Sequence, residues 1–252
     1  MSQNTKDRNS NRLGKILLNI TIEPAVFLIA FAYGIDNIAT SQLIVDKACD
    51  QNFDFNETVC ENLNSDEFKE QNIQVSNQLN QFNVYKTLIG SVFPIFFSFY
   101  LGAWTDLFGR KFLFYVFLIG FSTEQAIILV CAHFFESTKE YLLLAYIPTS
   151  LSGGLPVWLL TVNAFISDIS LPEDRAFKFG MVHLAHFLGK PPSTIFGAYL
   201  LRTGGYVCVY ASSLLCIAIG AILLTWRINR FQWKPERKSI VSFRKTRIYL
   251  II

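Results

Sequence analysis

The sequence has little charge, few histidines and none of the short motifs that mark common enzymes. Only 16% of its 252 residues are charged and only three are histidines, whereas a soluble domain usually carries about a quarter charged residues. Metal-binding Cys–His spacings, glycine-rich phosphate loops and nucleophile elbows are all missing from it. We therefore expect no enzyme activity, no catalytic residue, no cofactor and no metal site. The net charge of +3 is too small to indicate a nucleic-acid partner.

Long hydrophobic runs take the place of the missing charge. Hydrophobic residues make up 52% of the chain, and crossing the hydrocarbon core of a bilayer takes about 20 mostly apolar residues. Six stretches meet this requirement, at residues 23–45, 86–105, 112–134, 141–166, 177–201 and 206–227. The predicted fold class is an all-α membrane protein with six transmembrane helices in the lipid bilayer.

The placement of lysine and arginine predicts the orientation. These residues concentrate before the first span, in the second and fourth connecting loops, and after the sixth span. Because basic residues accumulate on the cytoplasmic side, both termini are predicted to be cytoplasmic. The expected organisation is a cytoplasmic tail at 1–22, a six-helix domain at 23–227 and, at 228–252, a second tail or the start of a central linker.

The one long loop, at about residues 46–85, is then predicted to lie outside the cytoplasm. It is acidic, and Asn56 begins an Asn-x-Thr acceptor pattern for N-glycosylation. The loop also contains Cys49 and Cys60, in a compartment where disulfides persist. We expect both cysteines to be oxidised, either with each other or with a loop of a longer chain, because spacing alone does not settle the pairing.

Ionisable side chains inside the spans are the strongest functional signal, because each costs at least about 2.5 kcal/mol at the bilayer centre on insertion scales. Asp36 lies in the middle of the first span, where we favour a cavity-facing role. Glu124 interrupts the third span, and a functional role and a structural role, as an interfacial or helix-pairing carboxylate, are equally expected. In the fifth span His183, His186 and Lys190 share one helical face, and we call these three residues the basic stripe.

The basic stripe has two interpretations. A cationic stripe in a membrane helix needs a water-filled cavity, an anionic partner or an anionic substrate, and imidazole can carry protons because it titrates near neutral pH. Asp36 is the nearest candidate in the sequence for a counter-charge. Alternatively, His183 or His186 only donates hydrogen bonds between helices, and Lys190 reaches the interface or pairs structurally.

The turn after the second span carries the most specific motif. Its signature residues are Gly102, Asp106, Gly109, Arg110 and Lys111. This spacing resembles the signature that the major facilitator superfamily has between its second and third helices, and Asp168 at the end of the fourth span also matches the superfamily pattern. The resemblance implies that Asp106, Arg110 and Asp168 form a charge cluster that latches the outward-open state of an alternating-access transporter.

Further segments narrow this resemblance. Gly-Gly-Leu-Pro at 153–156, Gly-Lys-Pro-Pro at 189–192 and the acidic outer loop look like those of the proton-coupled folate transporter family and its relatives. Folate-transporting members place a proton-coupling carboxylate in helix five, and the matching position here is His183. Superfamily transporters have twelve helices in two halves, so the resemblance implies that this chain is the N-terminal half. It is then either a fragment from which a C-terminal six-helix half is missing or a half-transporter that pairs with another chain.

The leading hypothesis is therefore the N-terminal half of a secondary transporter. Its expected substrates are a small organic anion, with folate as one candidate, and protons. The plasma membrane and the endo-lysosomal membrane are both expected locations. The alternative is a non-transporting truncated membrane protein that acts as an assembly partner or regulator. A six-helix channel is a weaker hypothesis, because the sequence has no filter-like loop.

Arg110→Ala is predicted to impair transport in the full-length transporter while leaving membrane insertion intact. The variant removes the cation of the implied latch but leaves the hydrophobic spans unchanged. Substrate uptake and surface expression, measured in the same cells, check this prediction. Normal uptake by the variant would contradict the latch role of Arg110.

Overall fold

A computed structural model gives the fold of residues 21–49, 65, 68–134 and 139–230, with the backbone alone for residues 97–99, 101–108, 110, 139–140 and 230. Within these ranges the chain forms helices and no strands, which confirms the predicted all-α class for the described residues. The helices are α1 (Glu23–Lys47), α2 (Lys69–Phe108), α3 (Arg110–His133), α4 (Lys139–Leu151), α5 (Gly154–Ile169) and α6 (Arg175–Arg230).

The first helix begins where the hydrophobic run predicts. Glu23 and Pro24 lie in its first turn, where the missing N–H and fixed φ of proline carry no penalty. The Thr21 backbone N–H donates a hydrogen bond to the Glu23 carboxylate, and negative charge at this end interacts favourably with the helix dipole. α1 ends at Lys47, close to the predicted end of the span at residue 45.

The second helix is much longer than the predicted second span. It begins at Lys69, whereas the sequence predicts a loop as far as residue 85 and a span from residue 86. Residues 69–85 contain neither glycine nor proline, so nothing in them interrupts a helix. A search for apolar runs does not detect them, because they contain many amide side chains. At 1.5 Å per residue α2 is ~60 Å long, about twice the thickness of the hydrocarbon core.

The fourth predicted span corresponds to two helices, α4 and α5. Gly153 and Gly154 separate them with φ values of 92° and 60°, a left-handed conformation that glycine adopts at little cost. Interrupted backbone at membrane depth is tolerated where it is buried in protein or lines a cavity. The break is therefore expected beside a polar feature of the fold.

The sixth helix is a hairpin rather than one straight rod. Its 56 residues are more than twice the number that one crossing needs, and Gly205 interrupts the helical geometry with φ 66° and ψ −173°. In the first half of α6, residues 175–204, Gly189 lies against Phe27 and Gly197 lies against Ile35. This half therefore runs in the same direction as α1.

The second half of α6, residues 206–230, runs in the opposite direction. Its Tyr210 contacts Thr40 near the end of α1, whereas Gly220, farther along the chain, lies against Ile29 near the beginning of α1. The reversal at Gly205 agrees with the two predicted spans at 177–201 and 206–227. α1 thus packs against both halves of the hairpin.

Four helical segments in the described part of the chain are long and apolar enough to cross a membrane. They are Glu23–Lys47, Lys111–His133, Tyr141–Ile169 and Arg175–Asn229. The last segment contains two of the predicted spans, and α2 is not among the four. The protein is therefore a multi-pass membrane protein, while the count of six spans stays a prediction.

Buried side chains of the described residues form two large apolar clusters with a polar layer between them. Along α1 the first cluster ends at Ala32 and the second begins at Ile35; along α3 the corresponding residues are Phe121 and Ile128. Buried polar side chains gather where the clusters meet, namely Asp36, Thr40, Glu124, Gln125, Ser150, Ser152 and Ser213. A polar layer inside a membrane protein usually marks a site of function.

Gly189→Ala is predicted to destabilise the protein by about 1–3 kcal/mol, the usual cost of overpacking. The new Cβ would lie 2.8 Å from the Phe27 carbonyl oxygen, so one of the two helices must move. Gly180→Ala is the matched control, because it lies in the same half of α6 with open space around it. Thermal unfolding of the purified protein in detergent measures both variants. Equal midpoints would contradict the close helix contact.

Candidate functional site

A hydrogen-bonded network joins α1 to α6 in the polar layer. The Asp36 side chain is 1% exposed and accepts a hydrogen bond of 3.1 Å from the Thr40 hydroxyl. The Thr40 oxygen also lies 3.0 Å from the Tyr210 hydroxyl. Because Thr40 uses its single proton toward Asp36, Tyr210 is the donor to Thr40. The second oxygen of Asp36 has no hydrogen-bond partner among the described residues.

A polar cavity of about 410 Å³ lies between α1, α2, α3, α4 and the beginning of α5. Its volume is in the usual range for small-molecule sites, roughly 300–1,000 Å³. Gly154 lines the cavity, so the α4–α5 break lies beside a polar feature as expected. The polar side chains that line it are Tyr33, Asn37, Asn83, Lys86, Thr87, Ser91, Glu124, Tyr146, Thr149 and Ser150.

Lys86 is the cation of this cavity. Its Nζ donates a hydrogen bond of 3.3 Å to Asn37 Oδ1 and lies 4.4 Å from the centre of the Tyr146 ring, within cation–π distance. Asn37 is oriented for this contact, because its Nδ2 donates to the Tyr33 carbonyl oxygen at 3.2 Å. Neutral groups therefore hold the Lys86 ammonium in place.

Glu124 is the acid of the cavity. Its side chain is 2% exposed, and it interacts electrostatically with both Lys86 and Asp36. Lys86 attracts the Glu124 carboxylate, whereas Asp36 repels it. These three charges therefore connect the cavity with the network that joins α1 to α6.

The basic stripe lies outside the lining of this cavity, as far as the described residues define it. His186 is 4% exposed, and its Nδ1 has no hydrogen-bond partner among the described residues. The groups that act electrostatically on His186 are Lys190 and His183, so the three residues do lie together as their spacing predicts. Asp36 interacts instead with Glu124 and the Thr40 network.

The signature residues at the α2–α3 turn are described only in part. Gly109 separates the two helices with a φ of 79°, and Lys111 Nζ donates a hydrogen bond of 3.2 Å to Asn229 Oδ1. Asp168 is exposed at the end of α5. The signature residues known by backbone alone are Gly102, Asp106 and Arg110. The latch that the motif implies therefore stays a prediction.

Cys49 is disulfide-bonded, as predicted for this end of the outer loop. Cys60, one of its two predicted partners, and the predicted glycosylation site, Asn56, lie outside the described residues, so the pairing and the glycan stay predictions. At the same end of α1, the Tyr206 hydroxyl donates a hydrogen bond to the Asp46 carboxylate. This contact ties α1 to the second half of α6 next to the disulfide.

Lys86 is the main site residue that sequence reasoning missed. Hydropathy places Lys86 at the edge of the second span and assigns Lys86 no role. Sequence reasoning also assigns Glu124 no preferred role. A signal for Lys86 does exist, because Asn83, Thr87 and Ser91 recur around it every four residues, the spacing of one helical face. That polar face becomes informative only when the helix is known to begin at Lys69.

Apolar helices around a polar cavity define a multi-pass membrane protein with room for a small solute. The sequence model described as Major Facilitator Superfamily matches residues 69–251 of this chain. The chain belongs to that superfamily, which confirms the resemblance seen in the signature at the α2–α3 turn.

Three curated relatives carry transporter names. The "Probable peptidoglycan muropeptide transporter SLC46" of Drosophila melanogaster is 22% identical over 81% of this chain and 41% of its own length. The "Proton-coupled folate transporter" of Rattus norvegicus is 21% identical over 95% of this chain and 52% of its own. The "MFS-type transporter avaJ" of Aspergillus versicolor is 29% identical over 56% of this chain and 26% of its own length. The chain therefore spans about half, or less, of the length of these relatives.

Tyr210→Phe is predicted to lower the free energy of unfolding by about 0.6 kcal/mol and by no more than about 1.7 kcal/mol, the range measured for hydrogen bonds between membrane helices. The variant removes the donor to Thr40 and leaves the Asp36 network incomplete. Tyr199→Phe, at an exposed position of α6, is the matched control. Chemical or thermal unfolding in detergent measures the difference. A shift of equal size in both variants would argue against the network.

Proposed function

We propose that this chain is the N-terminal half of a secondary transporter that moves a small organic anion together with protons. The observation that supports it is the cavity itself, in which Lys86 offers an ammonium to an anion and Glu124 offers a site for a proton. The polar hydroxyl and amide groups around them can hydrogen-bond the rest of the substrate. Membership of the superfamily supports transport by alternating access between two halves around a central site.

The relatives suggest which anions to try first. Their names mention folate and peptidoglycan muropeptides, and molecules of both kinds carry carboxylates. A carboxylate is a suitable partner for the Lys86 ammonium, because charge-assisted hydrogen bonds are the stronger ones. We therefore propose an organic carboxylate as the substrate, with the acidic lumenal or extracellular side as the source of protons.

The basic stripe is proposed to be a second part of the pathway. His183 and Lys190 are half-buried on α6, next to the buried His186. Three cationic or protonatable groups on one helical face favour water, anions or protons along that face. We propose that this face and Asp36 contribute to the proton route, and that the plasma membrane or the endo-lysosomal membrane is the location, with both termini cytoplasmic.

Uptake of radiolabelled folate and of a labelled muropeptide tests the proposed function. The full chain is reconstituted into proteoliposomes, and uptake is compared with and without a proton gradient directed inward. Faster uptake of either probe with the gradient supports the proposal. Absence of uptake of both probes, from a correctly inserted chain, would favour the alternative of a non-transporting assembly partner or regulator.

His183→Ala is predicted to flatten the pH dependence of uptake between about pH 5 and pH 8, the range in which histidine usually changes charge. A protonated imidazole on the stripe attracts an anion, and this attraction is lost as the pH rises. His133→Ala is the matched control, because His133 is an exposed histidine at the end of α3. Lower expression with an unchanged pH profile in the surviving protein would instead indicate that His183 has a structural role.

A further inference from the structure

The described residues that line the cavity include one basic and one acidic side chain, and neutral groups hold the basic one. Of the described residues that line it, Lys86 is the one with positive charge and Glu124 the one with negative charge. The ammonium contacts the Asn37 amide oxygen and the face of the Tyr146 ring. Because an ammonium has three protons to donate, Lys86 retains capacity to bind an anion that enters the cavity.

Glu124 competes with such an anion for Lys86. An ionised Glu124 attracts the ammonium and repels a second carboxylate in the same cavity. Asp36 lies close enough to interact with Glu124 and adds another negative charge. The titratable and charged groups that face this pair of acids are Tyr33 from α1, Lys86 from α2, Tyr146 from α4 and Tyr210 from α6.

We propose that Lys86 binds the carboxylate of the substrate and that Glu124 carries the coupled proton. The inference rests on the proposed transport function and assigns two of its residues. A proton on Glu124 neutralises the carboxylate that competes with the substrate for Lys86. A substrate carboxylate on Lys86 in turn occupies the cation that stabilises ionised Glu124. Each ligand therefore favours the binding of the other, which is the thermodynamic requirement for symport.

The exchange balances charge and protons at every step. On the entry side a proton binds a carboxylate oxygen of Glu124, which becomes a neutral acid, and the substrate carboxylate takes its place beside the Lys86 ammonium. On the release side the proton leaves, and the ionised Glu124 again attracts Lys86. The substrate carboxylate then loses its partner and leaves. One proton thus accompanies one substrate carboxylate, and no bond other than that to the proton is made or broken.

Folate binding to the full chain in lipid nanodiscs tests this inference. Calorimetry at acidic and neutral pH, repeated in buffers with different heats of ionisation, gives the affinity and the number of protons taken up. For the wild-type chain we expect tighter binding at acidic pH, an uptake that approaches about one proton per folate as the pH rises and little uptake at acidic pH, where Glu124 is already protonated. The same titration with a muropeptide provides a second probe.

Variants separate the two roles. Lys86→Gln should weaken folate binding at least about tenfold, as expected for the loss of a hydrogen bond to a charged group, and Lys86→Arg should retain most of the binding. Glu124→Gln should bind folate at neutral pH as tightly as the wild-type chain does at acidic pH, without proton uptake. Lys69→Gln and Glu70→Gln are matched controls, because both residues are exposed at the start of α2.

A measurement on the wild-type chain covers the case in which Lys86→Gln does not fold. Folate should protect the Lys86 amine from acetylation and leave the acetylation of exposed Lys69 unchanged, as read by mass spectrometry. Unchanged affinity in Lys86→Gln, or acetylation of Lys86 that folate leaves unchanged, would overturn the assignment of Lys86. Proton uptake that persists in Glu124→Gln would overturn the assignment of Glu124.

Different experimental results would contradict the two residue assignments and the proposed transport function. Proton-driven uptake by a chain whose binding does not depend on Lys86 or Glu124 would overturn the residue assignment and leave transport standing. Folate binding that requires Lys86 and is linked to a proton on Glu124, in a chain without uptake, would overturn transport by this chain. A wild-type chain that binds neither folate nor the muropeptide would overturn the inference as a whole.

Discussion

The burial of Asp36 in the middle of an apolar helix is the constraint on which the polar layer depends. A carboxylate at that depth is costly unless the protein supplies partners. Thr40, one turn farther along α1, and Tyr210 from α6 supply them. The two apolar clusters meet at the same level, so the second half of α6 must bring Tyr210 to this level for the network to form.

Neighbouring residues of α1 give the network and the cavity a common support. Asp36 faces the Thr40–Tyr210 network, whereas the next residue, Asn37, accepts a hydrogen bond from Lys86 on α2. Successive side chains of a helix point about 100° apart at 3.6 residues per turn, so one helix can serve both sites. A small rotation of α1 would therefore change the surroundings of Asp36 and of Lys86 at the same time.

Sequence reasoning predicted the helical class, the start of α1, the reversal near Gly205 and the superfamily, because apolar runs and a fixed motif are local features. It also predicted that the basic stripe lies on one face, since that follows from helical spacing. It missed the length of α2, because a polar helix leaves no mark in hydropathy. It missed Lys86 for a second reason as well. The role of Lys86 depends on contacts with Asn37 and Tyr146, which come from two other helices and which no local pattern reveals.

The reversal at Gly205 has a mechanical consequence. A turn this tight leaves no slack between the two halves of α6, and α1 packs against both of them, at Gly189 and at Gly220. Sliding of one segment past another would break close contacts with backbone and side chains, so we expect these three segments to move together. Gly153 and Gly154 instead interrupt the helical geometry beside the cavity, between α4 and α5. If the cavity opens or closes, we therefore expect the backbone to bend at Gly153 and Gly154 and the three packed segments to turn together.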